Sequence, residues 1–368
     1  MERALARTPD RRTDARGGRR IRLMIVDDSM VARAVLTRMI EADPAFEIVA
    51  VAGTAEDALE ALAAVRVDIV LLDLDMPGEG GLKSIPRILD AAAGAKVIIV
   101  SSTAEEGAEE TVAALALGAT DTMPKPGTSR FAGRFSEVLV SKLKAIGFAN
   151  HQQAASFQPV IAGAQPPLRA MTAGAIDLVA IGASTGGIHA LDTLFQHLPR
   201  QIGIPILVTQ HLPGPFMPIF ARQLGATARR EALVAEEGMQ LLPDRIIIAP
   251  GDSHLTVARS GGVPVVHLVQ GPVKSGCLPS VDPMLASVGQ IFRERALGII
   301  LTGMGRDGVE GSSSLVAAGG SVLAQDEATS AVWGMPRAVL EAGFASAVLP
   351  PEKIARRVAS RVETDPCR

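Results

Sequence analysis

The chain has 368 residues, room for about two domains, and its 48% hydrophobic and 20% charged content is an ordinary globular mixture that excludes wholesale disorder. Aromatic residues reach only 3%, with no Tyr and one Trp, so the cores must be built from Ala, Val, Ile, Leu and Met, and an aromatic platform for single-stranded nucleic acid is excluded. A net charge of -3 gives no global pull toward nucleic acid or anionic membrane, and no apolar run approaches the roughly 20 residues of a membrane span.

The first 20 residues carry seven arginines against three acids (Glu2, Asp10, Asp14), which predicts a disordered basic tail without the apolar core of a signal peptide. From residue 21, apolar runs read as buried strands at Ile21–Val26, Ile48–Val51, Ile69–Asp73, Val97–Val100 and Thr120–Met123. Ala-, Leu-, Arg- and Glu-rich segments between them read as helices near 29–42, 55–64, 80–91, 105–116 and 134–146. Strands apolar throughout suit a parallel sheet with helices on both faces. Five such units predict a flavodoxin-like domain over residues 21–146 with a five-stranded parallel sheet.

In a parallel sheet all strand C-termini share one edge, so Asp27 and Asp28 after the first strand and Asp73 after the third converge there. Clustered carboxylates repel unless a cation sits among them, and hard oxygen ligands suit Mg²⁺. Ser101 and Lys125 end the fourth and fifth strands on the same edge, where a hydroxyl and an ammonium can hold a phosphate during phosphoryl transfer onto an Asp. Taken singly, Asp28 or Ser29 reads as a helix N-cap, and Asp75 as a solvated loop acid. The motifs VDDS (26–29), LDLDMPGEGGL (72–82), VSS (100–102) and KP (125–126) together resemble the response-regulator receiver family over about residues 20–145. The resemblance implies Asp73 as phospho-acceptor from a sensor histidine kinase, Asp27, Asp28 and Asp73 as Mg²⁺ ligands, Ser101 as switch hydroxyl and Lys125 as phosphate contact. It also implies a cis Lys125–Pro126 bond, and Thr122 stands where the family carries its switch aromatic.

Residues 147–174, rich in Gln, Ala, Pro and Gly, read as a linker. A second α/β series fills 175–368, with strands at Asp177–Ile181, Ile204–Thr209, Arg245–Ala249, Val265–Val269, Leu297–Leu301, Ser321–Ala324 and Ala345–Leu349. Helices fill the gaps, which predicts a doubly wound domain with a mainly parallel sheet. Its first strand runs into Gly182-Ala183-Ser184-Thr185-Gly186-Gly187, a G-x-S-x-G turn that exposes a serine at a helix N-terminus. A phosphate-binding turn or a purely structural one is the alternative, although G-x-G-x-x-G is absent.

A serine nucleophile needs a base. His211, just after the second strand of this series, emerges on the edge that carries Ser184, and His254 is the second choice. His151 falls in the linker, His189 and His197 lie along a helix, and His267 sits inside a strand. Asp307 in the glycine-rich stretch 302–308 supplies a carboxylate on the same edge, whereas Asp282 before Pro283 reads as an N-cap. Ser184 would then attack an acyl carbon, His211 shuttle the proton and Asp307 fix the imidazole. Amides after Ser184, such as that of Thr185, or in the 302–305 loop would receive the oxyanion.

The motifs GASTGG (182–187), QHLP (210–213), LTGMGRDG (301–308) and VWGMPRAV (332–339) are similar to the catalytic domain of the chemotaxis response regulator protein-glutamate methylesterases. That family also carries an N-terminal receiver. The resemblance implies a Ser184, His211, Asp307 triad with the Met304 amide in the oxyanion hole. It implies phosphorylation-activated hydrolysis of glutamate methyl esters, and deamidation of glutamines, on methyl-accepting chemoreceptors, with no cofactor for the esterase step. The alternatives are a binding module without hydrolase activity and a hydrolase of some other protein. The chain departs from the family's His-Arg-Pro-Ser-Val-Asp at Cys277 and Leu278, and Cys277, with no His near it in sequence, reads as a loop residue. Two cysteines, Cys277 and Cys367, offer neither a disulfide framework nor a metal spacing, so the expectation is a cytoplasmic protein; a monomer is the expected assembly.

Overall fold

The computed structural model describes residues 20–78, 80–101, 107–125, 132–155 and 167–362. The basic tail up to residue 19, the Lys125–Pro126 bond, the Ser101 side chain and Cys367 lie outside the described residues.

The first sheet contains β1 (Ile21–Val26), β2 (Phe46–Ala52), β3 (Ile69–Leu72), β4 (Lys96–Ser101) and β5 (Asp121–Pro124). Its order is β2-β1-β3-β4-β5, and β1 pairs in parallel with both β2 and β3, as β3 does with β4. This is the flavodoxin-like order that the strand-helix alternation predicts. The inner strands β1 and β3 are apolar on both faces because both faces are covered: Leu23, Met24, Ile25, Ile69, Val70 and Leu71 are all buried. The helices are α1 (Met30–Glu41), α2 (Ala55–Ala64), α3 (Gly81–Ala91), α4 (Ala108–Ala116) and α5 (Ala132–Ala155). Ser29 caps α1, its hydroxyl accepting from the Ala32 amide at 3.3 Å, and this leaves Asp28 free of that task.

The last helix is longer than predicted. It continues through residue 155, into the stretch that reads as linker. Gly147 looks like a helix breaker in sequence, but a side chain there would meet Ile21 at 2.6 Å. The glycine lets α5 lie close to β1, and the Ala and Gln residues after it carry the helix on.

The second sheet contains β6 (Leu178–Ala183), β7 (Ile206–Gln210), β8 (Ala232–Val234), β9 (Ile246–Ile248), β12 (Ala296–Ile300), β13 (Ser321–Gln325) and β14 (Ala347–Leu349). The order is β14-β13-β12-β6-β7-β9-β8, and every pairing is parallel. Between β9 and β12 the chain forms a separate antiparallel hairpin, β10 (His254–Ser260) and β11 (Val263–Val269), turned at Gly261 and Gly262, which both have positive φ. The sequence reading misses β8, which is three residues long, and β10, whose polar ends mask the short apolar centre.

The helices are α6 (Gly187–His197), α7 (Met217–Ala228), α8 (Val281–Phe292), α9 (Val309–Ala317), α10 (Met335–Glu341) and α11 (Pro351–Ala359). The α8 residues Val281, Met284, Leu285 and Val288 pack with Leu178, Ala180, Leu207 and Ile300 in one buried cluster. Strand order reverses at β6: the chain first builds outward through β7, then crosses to β12 and builds the other way. Open α/β sheets bind ligands beyond the strand C-termini at such a switch point.

Candidate functional site

On the first sheet, Asp27 and Asp28 follow β1 and Asp73 follows β3. One ligand atom from each of the three lies within 4.8 Å of the others. Lys125, after β5, donates from Nζ to Asp73 Oδ2 at 2.6 Å and lies 3.8 Å from Asp27 Oδ2. Asp27 Oδ2 is buried with no hydrogen-bond partner among the described residues. Its other oxygen accepts from the Ser29 amide, and Arg33 fixes the loop by donating to the backbone carbonyls of Asp27 and Asp28. Burial pushes the Asp73 carboxyl above the ordinary range, against the pull of Lys125. An orphaned buried carboxylate oxygen beside two further acids fits a hard divalent cation such as Mg²⁺. Ser101 ends β4 by its backbone, and Thr122 sits half-buried in β5.

On the second sheet, three adjacent strands, β12, β6 and β7, present the predicted trio. The β6–β7 register pairs Ala183 with Gln210, so Ser184 and His211 each stand one residue beyond it. The His211 amide donates to the Ala183 carbonyl at 3.1 Å, and Gln210 Nε2 to the Ser184 carbonyl at 2.9 Å, which ties the two strand ends together. Beyond β12, Asp307 reaches back so that its Oδ2 meets His211 Nε2 at 2.8 Å. Ser184 and His211 are half-buried and open to solvent, while Asp307 is 1% exposed. No hydrogen bond to the Ser184 hydroxyl is formed among the described residues. Contacts of this kind commonly tighten only with substrate bound.

The turn around Ser184 is held by small residues. Gly186 has φ +75°, and a side chain there would meet Ala331 at 2.4 Å. A Cβ on Gly303 would lie 2.7 Å from Ser184 Cβ, so the 302–305 loop abuts the serine. The buried Thr302 hydroxyl locks this arrangement, donating to the Thr185 carbonyl at 2.9 Å and accepting from the Val332 amide at 3.0 Å. Neither the Thr185 nor the Met304 amide has a hydrogen-bond partner among the described residues. Two free amides thus flank Ser184.

Asp307 is more than a partner for His211. Its Oδ1 accepts from the Ser280 hydroxyl at 2.6 Å, and its Oδ2 also accepts from the Val281 amide at 2.8 Å. Burial opposes its charge, but the bond and attraction to His211, with these two donors, hold the carboxyl well below the usual range. Burial likewise opposes the imidazolium of His211, but hydrogen bonds to Asp307 and Cys277 and the pull of both push its pKa up to about 9.

Three sequence expectations change here. The N-cap of α8 is Ser280, not Asp282: Ser280 has extended backbone angles and its hydroxyl accepts from the Asp282 amide at 3.2 Å. Asp282 lies buried in the first turn, accepting from the Gly311 amide at 2.8 Å, and burial beside Asp307 raises its pKa to about 6. His254, the second choice for a base, is 2% exposed; its Nδ1 accepts from the Ser280 amide and its Nε2 donates to the Gly271 carbonyl, both at 3.0 Å. That commits both ring nitrogens and makes His254 a prop for Ser280. Finally, Cys277 is not remote from histidine: the fold brings it beside His211 and Asp307. Ser280 and His254 are legible in sequence only as a polar residue before a helix and a histidine after a strand.

Residues 179–358 match the family model described as CheB methylesterase, and residues 23–131 match that of the response regulator receiver domain. The protein-glutamate methylesterase/protein-glutamine glutaminase of Azospirillum brasilense is 40% identical over 95% of this chain and 95% of its own. One from Caulobacter vibrioides is 41% identical over 94% of this chain and 99% of its own. The crystal structure of the Thermotoga maritima CheB methylesterase catalytic domain covers 51% of this chain and 99% of its own, with 36% identity and a TM-score of 0.50. The chain therefore belongs to the CheB methylesterase family, in the form that carries a response-regulator receiver domain ahead of the esterase.

Proposed function

We propose that the chain is a phosphorylation-activated protein-glutamate methylesterase and protein-glutamine glutaminase that acts in the cytoplasm on methyl-accepting chemoreceptors. The receiver is assigned residues 21–146, with its last helix running on through 155 into the 147–174 linker, and the catalytic domain 175–368. The observation that carries the reading is the buried Asp307–His211 pair at the strand end next to Ser184.

In the reaction, Ser184 Oγ attacks the γ-carbonyl carbon of a glutamate methyl ester while the imidazole of His211 takes the hydroxyl proton. Asp307, fixed by Ser280 and Val281, orients the ring and stabilises the imidazolium. The unpaired amides of Thr185 and Met304 receive the developing oxyanion. The proton then passes from His211 to the leaving methoxide, methanol departs, and water hydrolyses the acyl-serine by the same steps in reverse. With a glutamine substrate the leaving group is ammonia. This sequence needs no cofactor.

On the receiver, Asp73 accepts a phosphoryl group from a sensor histidine kinase. Asp27, Asp28 and Asp73 would hold Mg²⁺, which neutralises phosphoryl charge when bound. Lys125 and Ser101 would contact the phosphate, and the bond from Lys125 to Asp73 supports that role for the lysine.

The test is methanol release from methylated receptor. Ser184→Ala should lose activity by about 10⁴-fold or more, as removal of a serine nucleophile does elsewhere. A loss below about tenfold would overturn the triad. A serine-directed fluorophosphonate that fails to label Ser184 would favour a module that only binds.

A further inference from the structure

The thiol of Cys277 faces the catalytic pair, and nothing in the ester hydrolysis uses it. One ligand atom each from His211, Cys277 and Asp307 lies within 4.8 Å of the other two. We propose that these three side chains form a zinc site that reversibly shuts the hydrolase.

The donor set is an imidazole nitrogen, a sulfur and a carboxylate oxygen, the mixture that zinc takes in three-ligand sites, with water as the fourth ligand. Around a tetrahedral zinc ion such atoms stand about 3.3–3.6 Å apart, given bonds of about 2.0–2.3 Å. The present separation therefore needs only a small closing movement. Cys277 can make it: it sits on a half-buried loop, next to Gly276 with φ +70°, and its sulfur bonds to His211 besides making a long 3.9 Å contact to the Ser275 carbonyl. The other two ligands are already held. Asp307 keeps the Ser280 hydroxyl on Oδ1 and the Val281 amide on Oδ2, and the Oδ2 lone pair that now meets His211 passes to the metal when the ring ligates it. Supported carboxylates of this kind raise metal affinity. His211 is 16% exposed at its side chain, so an ion can enter from solvent.

On binding, the thiol releases its proton to solvent and sulfur ligates as thiolate. Zinc on either nitrogen of His211 removes the base. On the nitrogen that faces Ser184 it occupies the lone pair itself. On the one that faces Asp307 it displaces the ring proton to the other nitrogen, which then has no lone pair to offer. The blockade rests on the triad proposed above, whereas the metal binding does not.

The test uses the full chain in excess Mg²⁺, which keeps the receiver carboxylates occupied. Cobalt(II), a coloured stand-in for zinc, should give a near-ultraviolet thiolate-to-cobalt charge-transfer band, which zinc then bleaches by competition. The band should persist in Ser184→Ala and Asp28→Asn and vanish in Cys277→Ala. At free zinc ten times its Kd, methylesterase activity should fall about tenfold relative to the same protein in chelator, and recover when chelator is added. Cys277→Ala should show no such ratio. Cobalt that binds without the thiolate band, a band that survives in Cys277→Ala, or equal inhibition of Cys277→Ala by zinc would each overturn the site. A band in Ser184→Ala with full ester hydrolysis in that variant would instead overturn the triad and leave the metal site standing.

Discussion

His211 carries two demands that pull against each other. The proposed general base must be neutral, yet its bonds to the buried Asp307 and to Cys277, with the pull of both, raise its pKa to about 9. Below that pH the ring is mainly imidazolium and cannot accept the Ser184 proton, so at pH 7 only about one molecule in a hundred is competent. The sign follows: kcat/KM should climb about tenfold per pH unit through neutrality and level off near the raised pKa, not near the ordinary value of about 6.5. Chelator in the assay keeps adventitious zinc from blurring the limb. Asp307→Asn removes the carboxylate, so the limb should move down toward that ordinary value while the plateau drops by about 10⁴-fold. A limb that stays put in the variant would show that Asp307 does not set the charge of His211. The residues of this pair were readable in the sequence because each follows an apolar strand. Ser280, His254 and Cys277 were not, since their roles depend on contacts across 26 or more positions, such as that between the Ser280 amide and His254.

At the scale of elements, the site is an edge where three parallel strands end and two glycine-rich turns meet. The G-x-S-x-G turn was legible as such because its chemistry is local. The reason for the other turn was not: Gly303 is required by Ser184, 119 positions earlier in a different βα unit, and by Met335, whose sulfur would lie 2.4 Å from a new Cβ. The Met335 side chain is flexible at its end, but Ser184 Cβ is fixed by its own backbone. Gly303→Ala should therefore displace Ser184 or the Met304 amide by part of an ångström. A misplacement of about 1 Å costs about 100-fold in rate, so kcat should fall by about 10- to 100-fold. KM should change little if the turn acts only on the reacting atoms. Thermal unfolding measured alongside would separate this from global damage: a folded variant with unchanged kcat would refute the close packing. The same reasoning explains two element-level differences from expectation. Gly147 permits helix packing where the sequence suggested a break, and the antiparallel β10–β11 hairpin interrupts a series of parallel units because its Gly261-Gly262 turn reverses the chain within two residues.

The whole molecule joins two sheets of one layer type with unrelated chemistry at their C-terminal edges. Both architectures could be read from apolar strands alternating with helices, because burial on both faces leaves a signature that few other folds share. The coupling between the edges could not be read, because it is a free-energy difference between states and no residue pattern encodes it directly. It can be measured on the full chain. Phosphorylation of Asp73 adds a dianionic group where Lys125 now pairs with the carboxylates of Asp73 and Asp27, so these ion pairs must rearrange around the phosphate. If that change is transmitted, a small-molecule phosphodonor with Mg²⁺ should raise methanol release by about 5- to 150-fold, the usual span of allosteric coupling. Asp73→Asn removes the acceptor and should abolish the increase. Its basal rate should match that of the unphosphorylated parent within about twofold, since Ser184, His211 and Asp307 all stand on the other sheet. A phosphodonor that labels the chain without changing the rate would uncouple the two sites. A rate increase that survives in Asp73→Asn would place the phosphorylated residue elsewhere.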